Sequence, residues 1–257
     1  MSRTVKLTRH NVPVTIPDGL TEDQLLAFRP FNTWIDTLSA SARLQTDSSH
    51  PFHDDAYTLR SAEVQSFDIF GSGRLGFIKL RATVCNSAGE TLPAVSLLRG
   101  PSVAILVMLV PDDVPAKSDE RYVVLTVQPR IPVGSFKGAA AKEIEEELGI
   151  TINEDELTCL SDLAAADNDK SEENLPNAMY PSAGGCDEHV TIYSYERRIP
   201  REQLRDWSGR LTGLRSHGEK ITLKVVPMQN LWREGARDAK ALGALALWDA
   251  LRRNGKI

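Results

Sequence analysis

The 257 residues carry 30 Lys and Arg against 35 Asp and Glu, a net charge of -5, with 41% apolar and 25% charged residues. This composition excludes a disordered chain and a coiled-coil or collagen-like rod, and its acidic balance speaks against a nonspecific nucleic-acid partner. Cys85, Cys159 and Cys186 form no CxxC pair, which excludes a disulfide framework and a thiolate zinc site and fits a reducing compartment.

The N-terminal stretch Met1 to Asn11 holds Arg3, Lys6 and Arg9 but no apolar h-region, so it does not read as a secretory signal. A cytoplasmic location is expected, with an organellar presequence left open because no acid occurs before Asp18. The longest apolar run, Val103 to Val110, is too short to span a bilayer, so no membrane partner is expected. Thr21 with Gln24 three residues on forms a capping box, predicting a helix from about Thr21. Phe28, Phe31, Trp34, Ile35 and Leu38 continue at helical spacing, interrupted at Pro30, as a helix docked on a core. Gln45 to Ala56 is polar and reads as a loop, and His50 and His53 there have no third metal ligand nearby in sequence.

From Tyr57 to Leu98 short β-runs alternate with turns at Gly71-Ser72-Gly73 and Asn86-Ser87-Ala88-Gly89, predicting a small antiparallel meander. Val103 to Val110 is a continuous apolar run typical of a buried strand, and Tyr122 to Val127 is a second. Helical spacing returns over Lys137 to Leu148, with Gly149 as its stop. Leu157 to Leu163, Val190 to Tyr195 and Ile221 to Val226 read as strands, Ala164 to Asn177 as an acidic loop, and Asp238 to Arg253 as a final helix. Two regions follow: 1–98, a helix with a β-meander, and 99–257, a mixed α/β domain.

The helix at Lys137 to Leu148 carries the most chemistry. At about 100° per residue, Glu143, Glu146 and Glu147 share one face while Ala141, Ile144 and Leu148 share another. Three carboxylates so placed repel one another and oppose the helix dipole. A hard divalent cation with oxygen ligands, Mg²⁺ or Mn²⁺, relieves both effects; a solvated acidic surface face is the alternative.

Lys142-Glu143-Ile144-Glu145-Glu146-Glu147-Leu148-Gly149-Ile150 resembles the second half of the Nudix box, G-x5-E-x7-R-E-U-x-E-E-x-G-U, with Lys142 in place of Arg. The first half does not match: its Glu falls on Gly134 and its Gly on Gln128. A segment of about fifteen residues, a strand and glycine-rich loop by usual lengths, is missing before the box helix. A true deletion, a splice form and a gene-model error all stay open. Beyond the box, the chain from about Val12 on resembles the ADP-sugar diphosphatases of plants and fungi. Its landmarks are Asp68-Ile69-Phe70-Gly71, Arg99-Gly100-Pro101, Pro181 through Glu188 and Gly213 through Glu219.

The resemblance implies an α/β/α Nudix sandwich with a mixed sheet, preceded by a β-rich N-terminal domain that helps build a homodimer. It implies Mg²⁺- or Mn²⁺-dependent hydrolysis of the diphosphate of ADP-ribose or ADP-glucose to AMP and a sugar phosphate. Residue by residue, Glu143, Glu146 and Glu147 correspond to the metal-binding carboxylates, with Glu146 and Glu219 as catalytic carboxylates, Glu219 being the candidate base and an exposed loop Glu its alternative. Arg99 and Arg130 flank the two central strands where arginines of the family contact phosphate or the terminal sugar, strand-end arginines paired with a local acid being the alternative. The Gly184-Gly185 turn lets Gly185 and Glu188 approach substrate, a turn acid capping backbone amides being the alternative for Glu188. The alternative is a nucleotide-binding or regulatory protein of the same fold, catalytically impaired by the missing loop.

Overall fold

The computed structural model describes residues 2–7, 10–115, 118–127, 152–166, 175–207, 211–212 and 221–257. These residues divide into two compact units. One is built from the chain up to Pro101 and takes in Tyr180–His189; the other starts at Ser102 and includes Asn177–Met179 and Val190–Ile257.

The first unit opens with two short strands, β1 (Arg3–Leu7) and β2 (Val12–Ile16), paired antiparallel. They are followed by helices α1 (Glu22–Ala27) and α2 (Arg29–Leu44). The capping box is formed: the Thr21 amide donates to Gln24 Oε1 at 3.0 Å and the Gln24 amide to Thr21 Oγ1 at 3.1 Å. Pro30 interrupts the helical pattern for a local reason. It lies in the first turn of α2, where its missing N–H costs nothing and its fixed φ suits a helix start.

Strands β3 (Thr58–Phe70), β4 (Arg74–Cys85) and β5 (Val95–Leu98) complete a sheet ordered β1-β2-β3-β4-β5. The meander expected over Tyr57 to Leu98 is its β3-β4-β5 half, all antiparallel; β2 and β3 run parallel. Val12, Val14 and Ile16 on β2, and Ile78, Leu80, Ala82 and Val84 on β4, are buried against Leu25, Phe28, Phe31 and Ile35 of the helical segment. Every second residue faces inward, as a half-solvated sheet requires. On the other face Arg81 pairs with Glu63 at 2.6 Å, both well exposed.

The second unit holds a sheet ordered β10-β11-β7-β6-β9-β8. Its strands are β6 (Ser102–Pro111), β7 (Tyr122–Val127), β8 (Thr158–Cys159), β9 (Val190–Ile199), β10 (Leu211–Thr212) and β11 (Ile221–Pro227). The sheet is mixed: β6 and β9 run parallel over ten register pairs from Ser102↔Val190 to Pro111↔Ile199, while β7, β8, β10 and β11 pair antiparallel to their neighbours.

Two separate apolar clusters explain why Val103 to Val110 reads as an unbroken run. Leu106 and Met108 join Val123, Ile192, Trp248 and Leu251 on one side. Val107 and Leu109 join Val124, Ile152, Tyr195, Ile199 and Leu204 on the other. From Leu106 to Val110 both faces are covered and every position is buried, so no place is left there for a polar residue. The helices are α3 (Leu160–Ala165), α4 (Arg201–Trp207), α5 (Leu231–Glu234) and α6 (Ala239–Arg253). Leu160, Leu231 and Trp248 place α3, α5 and α6 on the first face; Leu204 places α4 on the second. The fold class is α/β, with helices on both sides of a mixed sheet.

The β6–β7 loop is tied down by arginines. Arg201, at the start of α4, donates to Asp113 at 2.8 and 2.9 Å and to Glu120 at 2.6 and 3.1 Å. These bonds hold both carboxyl groups below their ordinary values. Arg121 bonds Glu196 at 2.8 Å, Arg252 bonds Asp119, and the two guanidinium groups lie 5.5 and 5.1 Å from the Trp248 ring. The loop thereby delivers β7, the strand leading into the carboxylate segment, in a fixed register.

Candidate active site

Arg99 follows β5 directly, and a segment 82 residues further along the chain docks on that same strand. The Leu97 amide donates to the Gly185 carbonyl at 2.9 Å and the Asp187 amide to the Leu97 carbonyl at 3.2 Å, a one-residue parallel bridge between Leu97 and Cys186. Pro181 to Glu188 therefore meets Arg99-Gly100-Pro101 through backbone pairing. The Arg99 guanidinium reaches Glu188 at 2.9 Å, with side chains only 25% and 20% exposed. At that degree of burial the ion pair is shielded from the solvent screening that makes surface pairs weak. Gly185 sits in the tight turn at the head of this segment, its amide donating to the Ser182 carbonyl at 3.0 Å.

Asp187 lies under the pair. Its Oδ1 accepts from the Arg99 amide at 2.7 Å and from the Gly100 amide at 3.1 Å, and its Oδ2 from the Gly100 amide at 3.1 Å. Burial pushes the Asp187 carboxyl up, and the two amides oppose that rise. The sequence signal for this residue was its place in the Cys186-Asp187-Glu188 run after two glycines, which marks a motif without distinguishing its two acids.

Gly100 has φ +85°, and a Cβ there would stand 2.9 Å from Pro30 Cγ. Both facts require glycine. Gly100→Ala is expected to destabilise the fold by roughly 1–3 kcal/mol, read by urea denaturation. The Cys186 thiol is pushed up by burial, which makes it a poor nucleophile. Cys159 is raised by burial in the same way, and all three cysteines are free thiols.

Of the candidate residues, Arg99, Glu188 and Gly185 are brought together. Arg130, Glu143, Glu146, Glu147 and Glu219 lie outside the described residues. Among the described residues no group of three His, Cys, Asp or Glu could hold a metal. His50 and His53 instead close their loop locally: His50 Nδ1 accepts from the Phe52 amide and His53 Nδ1 meets the Gln45 carbonyl at 3.2 Å. The chemistry of the donor set at 143, 146 and 147, three carboxylates with no nitrogen or sulfur, suits a hard divalent cation.

Over 244 residues the chain is 32% identical to "Nudix hydrolase 14, chloroplastic" of Arabidopsis thaliana, an alignment covering 88% of this chain and 72% of that protein. The chain belongs to the Nudix hydrolase family. The box-like run Lys142 to Ile150 falls between β7 and β8 of the mixed sheet. No family model matches the chain. A solved structure titled "Crystal structure of ADP compounds hydrolase" superposes with a TM-score of 0.40 at 18% identity, covering 78% of this Nudix chain and 99% of its own. Among the described residues no helix is long and apolar enough to cross a membrane.

Proposed function

We propose that this Nudix protein hydrolyses the diphosphate of ADP-sugars, with ADP-ribose and ADP-glucose as the substrate class, releasing AMP and a sugar phosphate. The observation that carries the substrate class is the Arg99–Glu188 pair. A guanidinium beside a carboxylate offers donors and acceptors side by side, which suits hydroxyl-rich or phosphorylated groups of a nucleotide sugar. Arg130 adds a second cation for the diphosphate, and the Gly185 turn lets backbone approach the ligand.

Glu143, Glu146 and Glu147 would hold the divalent cation, Mg²⁺ or Mn²⁺. When bound, the cation offsets diphosphate charge and polarises the attacked phosphorus. Glu219 takes the proton of the attacking water as general base. Oxygen from water adds to phosphorus, and the bridging P–O bond breaks to leave two phosphomonoesters.

A second reading is favoured by one observation: Gly134 stands where the box requires Glu. On that reading the chain binds nucleotide sugars but turns them over poorly. Phosphate release from ADP-ribose and ADP-glucose, coupled through a phosphatase and read with malachite green, separates the two. Metal-dependent release supports hydrolysis. Binding by calorimetry without release supports the impaired form, and neither binding nor release rejects the substrate class.

The protein acts as a homodimer in this proposal. Ile69, Val95 and Leu97 expose apolar surface on the first sheet, at 42%, 49% and 41%, as an interface would need. Light scattering at micromolar concentration is expected to give about twice the chain mass of 28.3 kDa; a clean monomer contradicts it. Three free thiols fit a reducing compartment, and we place the protein in the cytoplasm.

A further inference from the structure

Consecutive acids, Asp187 and Glu188, take hold of one arginine at opposite ends. Glu188 receives the Arg99 guanidinium at 2.9 Å, while Asp187 receives the backbone amides of Arg99 and Gly100 at 2.7 and 3.1 Å. The backbone contact spans 88 positions of sequence, so it is a tertiary bond and not a local turn. It acts where the chain has the least freedom to adjust. Gly100 is in the left-handed region and packs on Pro30, and Leu97, two residues before Arg99, is already paired with Gly185 and Asp187. A carboxylate accepting from two successive amides fixes the peptide plane between them, and with it the direction in which the Arg99 side chain leaves the backbone. Asp187 is half-buried, and that burial pushes its carboxyl up while the two amides oppose the rise.

We propose that Asp187 is a positioning residue: it holds the Arg99–Gly100 backbone so that the guanidinium is delivered to Glu188 before substrate arrives. Its consequence for catalysis rests on the assignment of Arg99 to substrate binding, and two independent readouts keep the two claims apart. The first needs no ligand. In the full-length protein labelled with ¹⁵N-arginine, the Arg99 Nε–H resonance, assigned by its loss in Arg99→Lys, reports the pairing with Glu188. Asp187→Ala is expected to move or broaden it and to speed amide exchange at Arg99 and Gly100 by at least about tenfold. Asp187→Asn keeps one acceptor oxygen and should hold the resonance near its wild-type position.

The second readout is calorimetric affinity for ADP-ribose and ADP-glucose. Asp187→Ala should weaken binding at least about tenfold, Asp187→Asn by no more than about threefold, and Asp187→Ala in an Arg99→Ala background by less than about twofold. An unchanged Arg99 resonance in folded Asp187→Ala overturns the proposal, and so does an equal loss of affinity with and without Arg99. If Asp187→Ala does not fold, Asp187→Asn decides: it should speed exchange at Gly100, which loses one of its two carboxylate oxygens, and unchanged exchange there overturns the proposal. If the wild type binds neither ADP-sugar while the Arg99 resonance still responds, the substrate assignment fails and the positioning role stands.

Discussion

Glu146→Gln is expected to lower ADP-sugar hydrolysis at least about a hundredfold, roughly 2.7 kcal/mol of barrier, with far-UV circular dichroism unchanged. The amide keeps the shape of the side chain and removes the charge that a divalent cation needs. The residue sits on the polar side of its predicted helix, opposite Ala141, Ile144 and Leu148, so folding should not depend on it. Titration with Mn²⁺ gives a readout besides turnover: affinity should fall in Glu143→Gln, Glu146→Gln and Glu147→Gln alike. A chelator should reproduce the loss of activity in the unaltered chain, and excess Mg²⁺ should restore it. Full activity in a folded Glu146→Gln protein would remove that residue from the metal site. A variant that fails to fold would mark the carboxylate as structural, a role its helix pattern does not suggest.

The strands that were legible in sequence are those whose pattern is set by the core. Tyr122–Val127 and the strand around Val103 to Val110 are visible because their centres, Val123–Val124 and Leu106–Val110, are buried on both faces of the sheet, which leaves a mostly apolar signature. The capping box at Thr21 was visible because it needs only two side chains three residues apart.

Other elements were hidden for physical reasons. β1 buries only Val5 and Leu7 and leaves Arg3, Thr4 and Lys6 exposed, and in five residues that resembles a basic leader as much as a strand. Leu157 to Leu163 reads as a strand, yet only Thr158–Cys159 is one, and Leu160–Ala165 turns helical; short apolar runs do not separate the two states. Among the described side chains of the helix Arg201–Trp207 only Leu204 is buried, and one buried position shows no periodicity.

Within the site, Arg99 and Glu188 were each identifiable, but their pairing across the chain was not. It depends on Gly185 and Asp187 adding to the edge of β5 by backbone bonds, and backbone bonds leave no trace in residue type. For the same reason nothing in the sequence distinguished Asp187, which binds amides, from Glu188, which binds a guanidinium.

Inserting the strand and glycine-rich loop of an intact relative between Ser135 and Phe136 is expected to raise turnover at least about tenfold, roughly 1.4 kcal/mol of barrier. β7 ends at Val127 and the matching half of the box starts at Lys142. Nine residues from Val127 to Phe136 span at most roughly 30 Å when extended, enough to reach but not to add a strand and a turn. Glu143, Glu146 and Glu147 come from one predicted helix, so their mutual spacing survives the shortening. Their placement against the substrate is not expected to, because that depends on what holds the N-terminal end of the helix. The box position occupied by Gly134 also lacks the carboxylate found there in the family pattern. Misplacement of a reacting group by about 1 Å is enough to cost about a hundredfold in rate. Substrate affinity should change far less, because Arg99 and Glu188 are organised by β5 and the Gly185–Glu188 segment, which the insertion does not touch. The expected signature is therefore a rise in kcat with KM within about threefold, the mark of a gain confined to the transition state. Equal kcat in the original and extended chains would show that the shortened box already forms a complete metal site.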